Sequence, residues 1–288
     1  MQDFDFIRPG DLNGACRFLA ANKGQVKIIA GGNDLMIDLR KDNLPETTTM
    51  IMEVSHLKEL KYIKADGKYI RIGAAATHTQ LAASELIREN GHLLAEAAGT
   101  VGSPQIRNRG TLAGNIITAS PAADTIPALL VLNAILVIRR GMGEREIPLL
   151  GVFAGPNQVN IGSDELVTEI YFEKLPPNSR RAFIKLARRN TAAKSRMNIA
   201  AIARQNQAKK VIDLRISAGS VTPGPARFRT AEEVLLGKIP DEQLIKQAGE
   251  KVSDEMIRQS GYRWSTDYKK PVVEALIVRI LHQVLEIN

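Results

Sequence analysis

The chain has 288 residues, enough for two domains of ordinary size, and its 44% hydrophobic and 24% charged residues are the proportions of a globular protein. A formal net charge of +8 suits nucleic acid, an anionic cofactor or an acidic partner subunit; with aromatics at 5% and no helix-turn-helix, zinc-finger or RNP-type motif, the nucleic-acid class is disfavoured. Cys16 is the only cysteine, which excludes internal disulfides, Cys-ligated iron–sulfur clusters and CxxC redox chemistry, and no run of about eighteen apolar residues marks a membrane span.

The acidic start of the chain, residues 1–5, lacks the apolar core of a signal peptide, so a cytoplasmic location is expected. Cys16, Phe18 and Leu19 share an amphipathic helical pattern, and core packing is the expected role of the cysteine. Residues 25–30 read as a strand running into the turn Gly31-Gly32, residues 34–40 as a short helix and 50–54 as a second strand. Together they suggest a small βαβ-like unit ending near Ser55. Residues 68–75 alternate apolar and charged side chains and predict a strand. Helices are expected over 79–88 and 93–101, on either side of Asn90-Gly91. Residues 124–132 are apolar with Pro127 in the first turn, where proline is tolerated. Strands follow at 134–139 and 165–172, with Gly141-Met142-Gly143 turning the chain toward 146–149. Residues 175–179, Leu-Pro-Pro-Asn-Ser, have linker composition. Beyond them 182–186, 198–204 and 211–217 read as three strands, 219–225 as a loop, and the remainder as three helices. The last helix, expected over 271–287, carries Val273, Leu276, Ile277, Ile280, Leu281 and Val284 as one stripe.

Two glycine segments carry the chemistry. Residues 30–35 read Ala-Gly-Gly-Asn-Asp-Leu. Residues 101–124 gather small residues, hydroxyls and amides around Gly110 and Gly114, with no acid before Asp124. Such loops let a backbone approach an anionic group closely and direct N–H donors at it. Each alone is also what an ordinary turn looks like; two of them, about eighty residues apart, can hold one diphosphate from two sides.

Ala-Gly-Gly-x-Asp-Leu, then Ser-Pro-Gln-Ile-Arg-Asn-x-Gly-Thr-Leu-x-Gly-Asn, then Ala-Ser-Pro-x-x-Asp, resembles the FAD-binding medium subunit of molybdenum hydroxylases, a family that includes subunits of xanthine, nicotinate and carbon monoxide dehydrogenases. The resemblance covers essentially the whole chain. It implies an α+β fold: a vanillyl-alcohol-oxidase (PCMH)-type FAD-binding domain over 1–175, in subdomains of about 1–55 and 56–175, and a C-terminal domain over 180–288 with a three-stranded antiparallel sheet packed with helices. It implies non-covalent FAD, with Ile28, Ile29, Ala30, Gly31, Gly32, Asn33, Asp34 and Leu35 along one side. Thr111, Gly114 and Asn115 lie on the other, and Asp124 contacts the cofactor through a hydroxyl. Val101 borders the flavin, Lys185 reaches it from the second domain, and Val167 makes an apolar contact. It implies partners: a molybdopterin-binding large subunit and a small subunit with two [2Fe-2S] clusters, with NAD or another acceptor taking the electrons, in a heterotrimer. The family's usual Gly-Gly before Asn is Ala113-Gly114 here, which costs strain if Ala113 needs a positive φ, and its common threonine is Asn33. The benzoyl-CoA reductase type of this subunit carries an inserted iron–sulfur cluster, which a chain with Cys16 alone cannot ligate in that manner.

Two other readings stand beside this one: a standalone FAD-dependent oxidase or reductase of the same fold, and a basic nucleotide-binding module without enzymatic activity. No histidine lies in either glycine segment to attach FAD covalently. Residues 180–196 hold seven basic residues and no acid, which suits a solvated face, a subunit-docking face or an approach for an anionic acceptor. His78 is either structural or near the flavin. Trp264 and Tyr262 are expected to pack.

Overall fold

The chain opens with a parallel three-stranded sheet. β1 (Asp5–Ile7), α1 (Leu12–Ala21), β2 (Val26–Ile29), α2 (Leu35–Arg40) and β3 (Met50–Glu53) follow one another, and the strand order is β1-β3-β2. This is a computed structural model, and it describes residues 3–189 and 192–287. Asp11 caps α1 by accepting from Gly14 N–H at 2.6 Å, and Ala15, Cys16 and Leu19 are fully buried along one stripe. β2 is an edge strand, so the turn that leaves it stays open on one side.

The second layer is a five-stranded antiparallel sheet and the helices packed on it. In chain order come β4 (Ile63–Asp66), β5 (Tyr69–Gly73), α3 (His78–Ala83), α4 (Glu85–Gly99), α5 (Pro104–Arg109), α6 (Leu112–Thr118), α7 (Thr125–Val131), β6 (Ile135–Arg140), β7 (Gly143–Pro148), a small hairpin of β8 (Phe153–Gly155) and β9 (Gln158–Val159), and β10 (Leu166–Glu173). The sheet order β4-β5-β10-β6-β7 puts β10 in the middle, and every residue of it but Glu173 is buried. All seven residues of α7 are buried too, because both its neighbours are protein: α4 and α6 on one side, the last sheet on the other.

That last sheet comprises β11 (Arg180–Ala187), β12 (Ser195–Gln205), β13 (Val211–Gly219) and β14 (Ala226–Arg227), backed by α8 (Arg229–Leu235), α9 (Glu242–Ser260) and α10 (Thr266–Val284). The period of two along β12 divides its side chains. Ile199, Ala201 and Ala203 join the core under the helices, while Ala200 and Ile202 join the core that contains α7. One strand thus fastens the C-terminal unit to the rest of the chain.

Most of the expected elements are present, with shifts that have local causes. Gly91, at φ −150° and ψ 47°, breaks α4 into two helical halves across a kink, as expected, and an additional break falls at Ser84, which caps α4 through Ile87 N–H. Residues 101–124 are not one loop. Ser103 with Pro104, and then Thr111, start two short helices there. α10 begins at Thr266, five residues before the expected start, and carries Pro271 within it. Three long antiparallel strands form the last sheet as expected, and the two-residue β14 extends it. Trp264 and Tyr262 do not pack: they are 96% and 69% exposed.

Candidate functional site

The two glycine segments meet. Gly31 lies so close to the end of α5 that a Cβ built on it would stand 2.3 Å from the Arg109 carbonyl oxygen and 2.9 Å from Gly110 Cα. Asn33 Nδ2 donates to the Ile106 carbonyl at 3.1 Å, and Thr118 Oγ1 donates to Asp34 Oδ2 at 2.9 Å. Backbone contact, amide and hydroxyl therefore clamp the β2–α2 turn onto α5 and α6. The role of Gly31 is this contact between loops.

Gly32 has φ +78°. The N–H groups of Gly31, Gly32, Asn33, Asp34 and Leu35 donate to no acceptor among the described residues. Five consecutive free donors around a left-handed residue form an anion-binding concavity. Around it Met36, Ile37, Ile106 and Ile117 are exposed, an apolar rim on α2, α5 and α6. A group with a phosphate to take the donors and an aromatic body to cover the rim fits these residues.

The opposite side is built differently from the expectation. At the start of α6, Leu112 and Ala113 N–H donate to the carbonyls of Ala76 and Ala74, and Gly114 N–H donates to Thr111 Oγ1 at 3.2 Å. Those three amides are engaged within the chain. What remains for a guest is the Thr111 hydroxyl proton and the amide of Asn115, whose Oδ1 is held by Thr125 Oγ1 at 2.7 Å. Among the described residues nothing accepts from Asn115 Nδ2. Ala113 lies within the helix at negative φ and is not strained.

Asp124 and Lys185 are brought together with each other. Lys185 Nζ is 2.7 Å from Asp124 Oδ2 and 2.8 Å from the Thr100 carbonyl. Ser195 Oγ and Asn198 Nδ2 donate to Asp124 Oδ1 at 2.5 and 3.0 Å. Both carboxylate oxygens thus accept from the C-terminal sheet. Val101 stands beside this cluster, one residue past Thr100, with its carbonyl accepting from Arg107 Nη1 at 3.1 Å. Val167 is 5% exposed in β10, among core side chains. The basic stretch 180–196 is partly structural: Arg180 pairs with Glu286, Arg181 donates to the Glu89 carbonyl, Lys185 pairs with Asp124, and Arg196 lies over Tyr268. Residues 190 and 191 of that stretch lie outside the described residues.

Sequence reasoning left His78 open between two roles. It is the first residue of α3, its N–H donates to the Gly110 carbonyl at 3.0 Å, and a Cβ built on Gly110 would stand 3.1 Å from its ring carbon Cδ2. Nδ1 is buried and has no partner among the described residues. Burial, then the charge of Arg107, lowers its pKa from 6.5 to about 4. Above pH 6.5 the imidazole is neutral in both the folded and the unfolded chain. As pH falls from 6.5 to about 4 the unfolded chain takes up a proton that the folded one refuses, so stability drops by roughly 3 kcal/mol across that window. His78→Gln is expected to flatten this part of the profile relative to wild type, checked by urea unfolding at steps between pH 7 and 4; parallel profiles would contradict it.

Comparison with known proteins points the same way as the geometry. The family described as the FAD binding domain in molybdopterin dehydrogenase matches residues 2–174, and the CO dehydrogenase flavoprotein C-terminal domain matches residues 181–284. The nicotinate dehydrogenase FAD-subunit of Eubacterium barkeri is 31% identical over 99% of this chain and 97% of its own length. The xanthine dehydrogenase FAD-binding subunit of Escherichia coli O157:H7 is 29% identical over 97% and 96%. Among solved structures, a chain of the carbon monoxide dehydrogenase of Hydrogenophaga pseudoflava superposes with a TM-score of 0.90 at 25% identity, over 98% of this chain and 97% of that one.

Proposed function

The chain belongs to the FAD-binding subunits of the molybdenum hydroxylase family, and from that premise we propose that it is the subunit through which electrons leave the assembly, taking them from [2Fe-2S] clusters of a partner chain and passing them to NAD or another acceptor. The observation that carries the cofactor assignment is the row of five free N–H donors from Gly31 to Leu35, clamped against α5 and α6. In this reading 28–35 hold the diphosphate side of non-covalent FAD, and Thr111, Gly114 and Asn115 face them with one hydroxyl, a small residue that lets the backbone come close, and one amide. Val101 borders the flavin. Lys185 and Asp124 fix the second domain beside it and share Asp124 with a cofactor hydroxyl, while Val167 backs the site from within the core. Residues 1–175 and 180–288 are the two domains of this reading.

Bound FAD supplies the exchange between single-electron and two-electron transfer. The protein's part is to bind, orient and shield it. Neither a nucleophile with an adjacent base nor a carboxylate pair is assigned, because flavin chemistry does not ask for one. Hydroxylation of a purine or another N-heterocycle would be the work of the molybdenum-binding chain. The assembly is a heterotrimer in this reading.

Asn115→Ala tests the assignment. It removes a donor to the cofactor and takes away the acceptor of the buried Thr125 hydroxyl. One hydrogen bond to a charged group is worth about 1.5–3 kcal/mol, so FAD affinity is expected to fall roughly ten- to a hundredfold with little change in fold. Flavin absorbance per chain and circular dichroism read the two effects separately. Unchanged flavin content would sink the role given to Asn115, and a chain that takes up no FAD even as wild type would sink the reading.

A further inference from the structure

A cleft of about 330 Å³ opens beside Pro121, where the loop after β13 faces the turn between α9 and α10. Its lining includes Arg263, Lys269 and the hydroxyls of Ser220, Ser260 and Thr266, and contains no carboxylate. Arg263 donates from Nε to the Ser260 carbonyl at 2.9 Å, and its terminal nitrogens have no partner among the described residues. Lys269 is half-buried and its Nζ donates to the Ser220 carbonyl at 2.8 Å; burial, then the charge of Arg263, lowers its pKa, and among the described residues neither cation is paired with a carboxylate.

The segment 260–269 that supplies part of this lining also carries exposed aromatics. Trp264 is 96% exposed, Tyr262 69% and Tyr268 47%, and Arg196 lies 5.5 Å over the Tyr268 ring. Lone exposed apolar residues are ordinary, but three aromatics within seven residues, beside an unpaired guanidinium, are not. Trp, Tyr and Arg are the side chains that anchor protein interfaces, and a free guanidinium fork matches a carboxylate in two-point contact.

We propose that the cleft at the α9–α10 turn is where a partner subunit of the assembly docks, inserting an acidic side chain onto Arg263 and covering Trp264 with an apolar surface. This rests on the reading of the chain as one subunit of a complex. The charge of the cleft selects the occupant: a second copy of this chain, itself at +8, would bring the same cations to the same place.

The full chain, co-expressed with its molybdenum and iron–sulfur partner chains, provides the test. Trp264→Ala and Arg263→Glu are each expected to weaken association at least tenfold by native mass spectrometry on a dilution series, with flavin per chain and melting temperature unchanged. Trp264 is the chain's only tryptophan. The difference in fluorescence between wild-type and Trp264→Phe complexes should therefore show emission shifted to shorter wavelength and shielded from iodide, relative to the same difference for the free chain. Variants that assemble like wild type, or an unshifted and fully quenched Trp264 in the complex, would overturn the proposal. So would a dimer of the chain alone that the two variants dissociate. A wild-type chain that neither holds FAD nor joins those partners fails earlier, at the level of the function.

Discussion

Gly31→Ala is expected to abolish FAD retention while leaving most of the chain folded. The added Cβ would stand 2.3 Å from the Arg109 carbonyl oxygen, 2.9 Å from its carbon and 2.9 Å from Gly110 Cα. All three are backbone atoms, so no side chain can swing aside. The β2–α2 turn has to retreat by roughly 1 Å, at a cost of about 1–3 kcal/mol. Retreat stretches the Asn33–Ile106 and Asp34–Thr118 bonds that hold the turn to α5 and α6. It also moves the free N–H donors away from the Thr111 and Asn115 side chains that face them. Two half-sites a diphosphate must span together then no longer match, and the loss in affinity is expected to exceed a hundredfold, about 2.7 kcal/mol. Gly32→Ala is the control. Its Cβ meets only side-chain atoms of Ile29 and Met36, so its cost is the strain of φ +78° on alanine, about 1–2 kcal/mol, without displacing the clamp. FAD titration by flavin fluorescence, beside thermal melts of the FAD-free proteins, separates the two. If Gly31→Ala binds flavin as well as Gly32→Ala, the contact between the loops is not what sets the site.

The parts of this molecule that were legible in its sequence are those governed by local rules. Alternation over 68–75 and apolar spacing in the last helix gave strand and helix because burial on one face produces those periods whatever the partner. The glycine motifs, through family resemblance, pointed to the cofactor. The short pieces escaped: β1, β4, β8 and β9 have two to four residues each, too few to show a period. α5 and α6 escaped for a different reason. Their glycines and hydroxyls looked like loop chemistry, although Ser103-Pro104 is a helix-start signal that was there to be used. What sequence could not convey is which donors are free. Gly114 N–H is taken by the local cap of Thr111, three residues earlier, but the Leu112 and Ala113 amides belong to Ala76 and Ala74 only because residues more than thirty positions earlier come alongside. The expectation that Trp264 and Tyr262 pack rested on the usual burial of large aromatics, and these two stand exposed on the turn between α9 and α10 instead.

Asp124→Ala is expected to be among the most destabilising single changes in the chain. The carboxylate is 6% exposed and accepts from Lys185, Ser195 and Asn198, all on the C-terminal sheet. Removing it strands the Lys185 ammonium, whose side chain is 12% exposed, with the Thr100 carbonyl as its remaining acceptor. Breaking a buried pair from one side costs about 3–5 kcal/mol, because the charge left behind keeps its desolvation penalty and loses its counter-ion. Lys185→Met should cost less, since Ser195 and Asn198 still donate to the carboxylate and a methionine fills the space of the lysine stem. The double variant should recover part of the loss, with a coupling of at least about 1.5 kcal/mol between the two sites. Because the pair joins α7 to β11 and β12, the same change should split one calorimetric transition into two, with the C-terminal unit uncoupled from the rest. Additive costs in the double variant would mean that Asp124 is held by its two neutral donors alone, and that the lysine is present for the cofactor rather than for the fold. Coupling together with full FAD binding in Lys185→Met would mean the reverse.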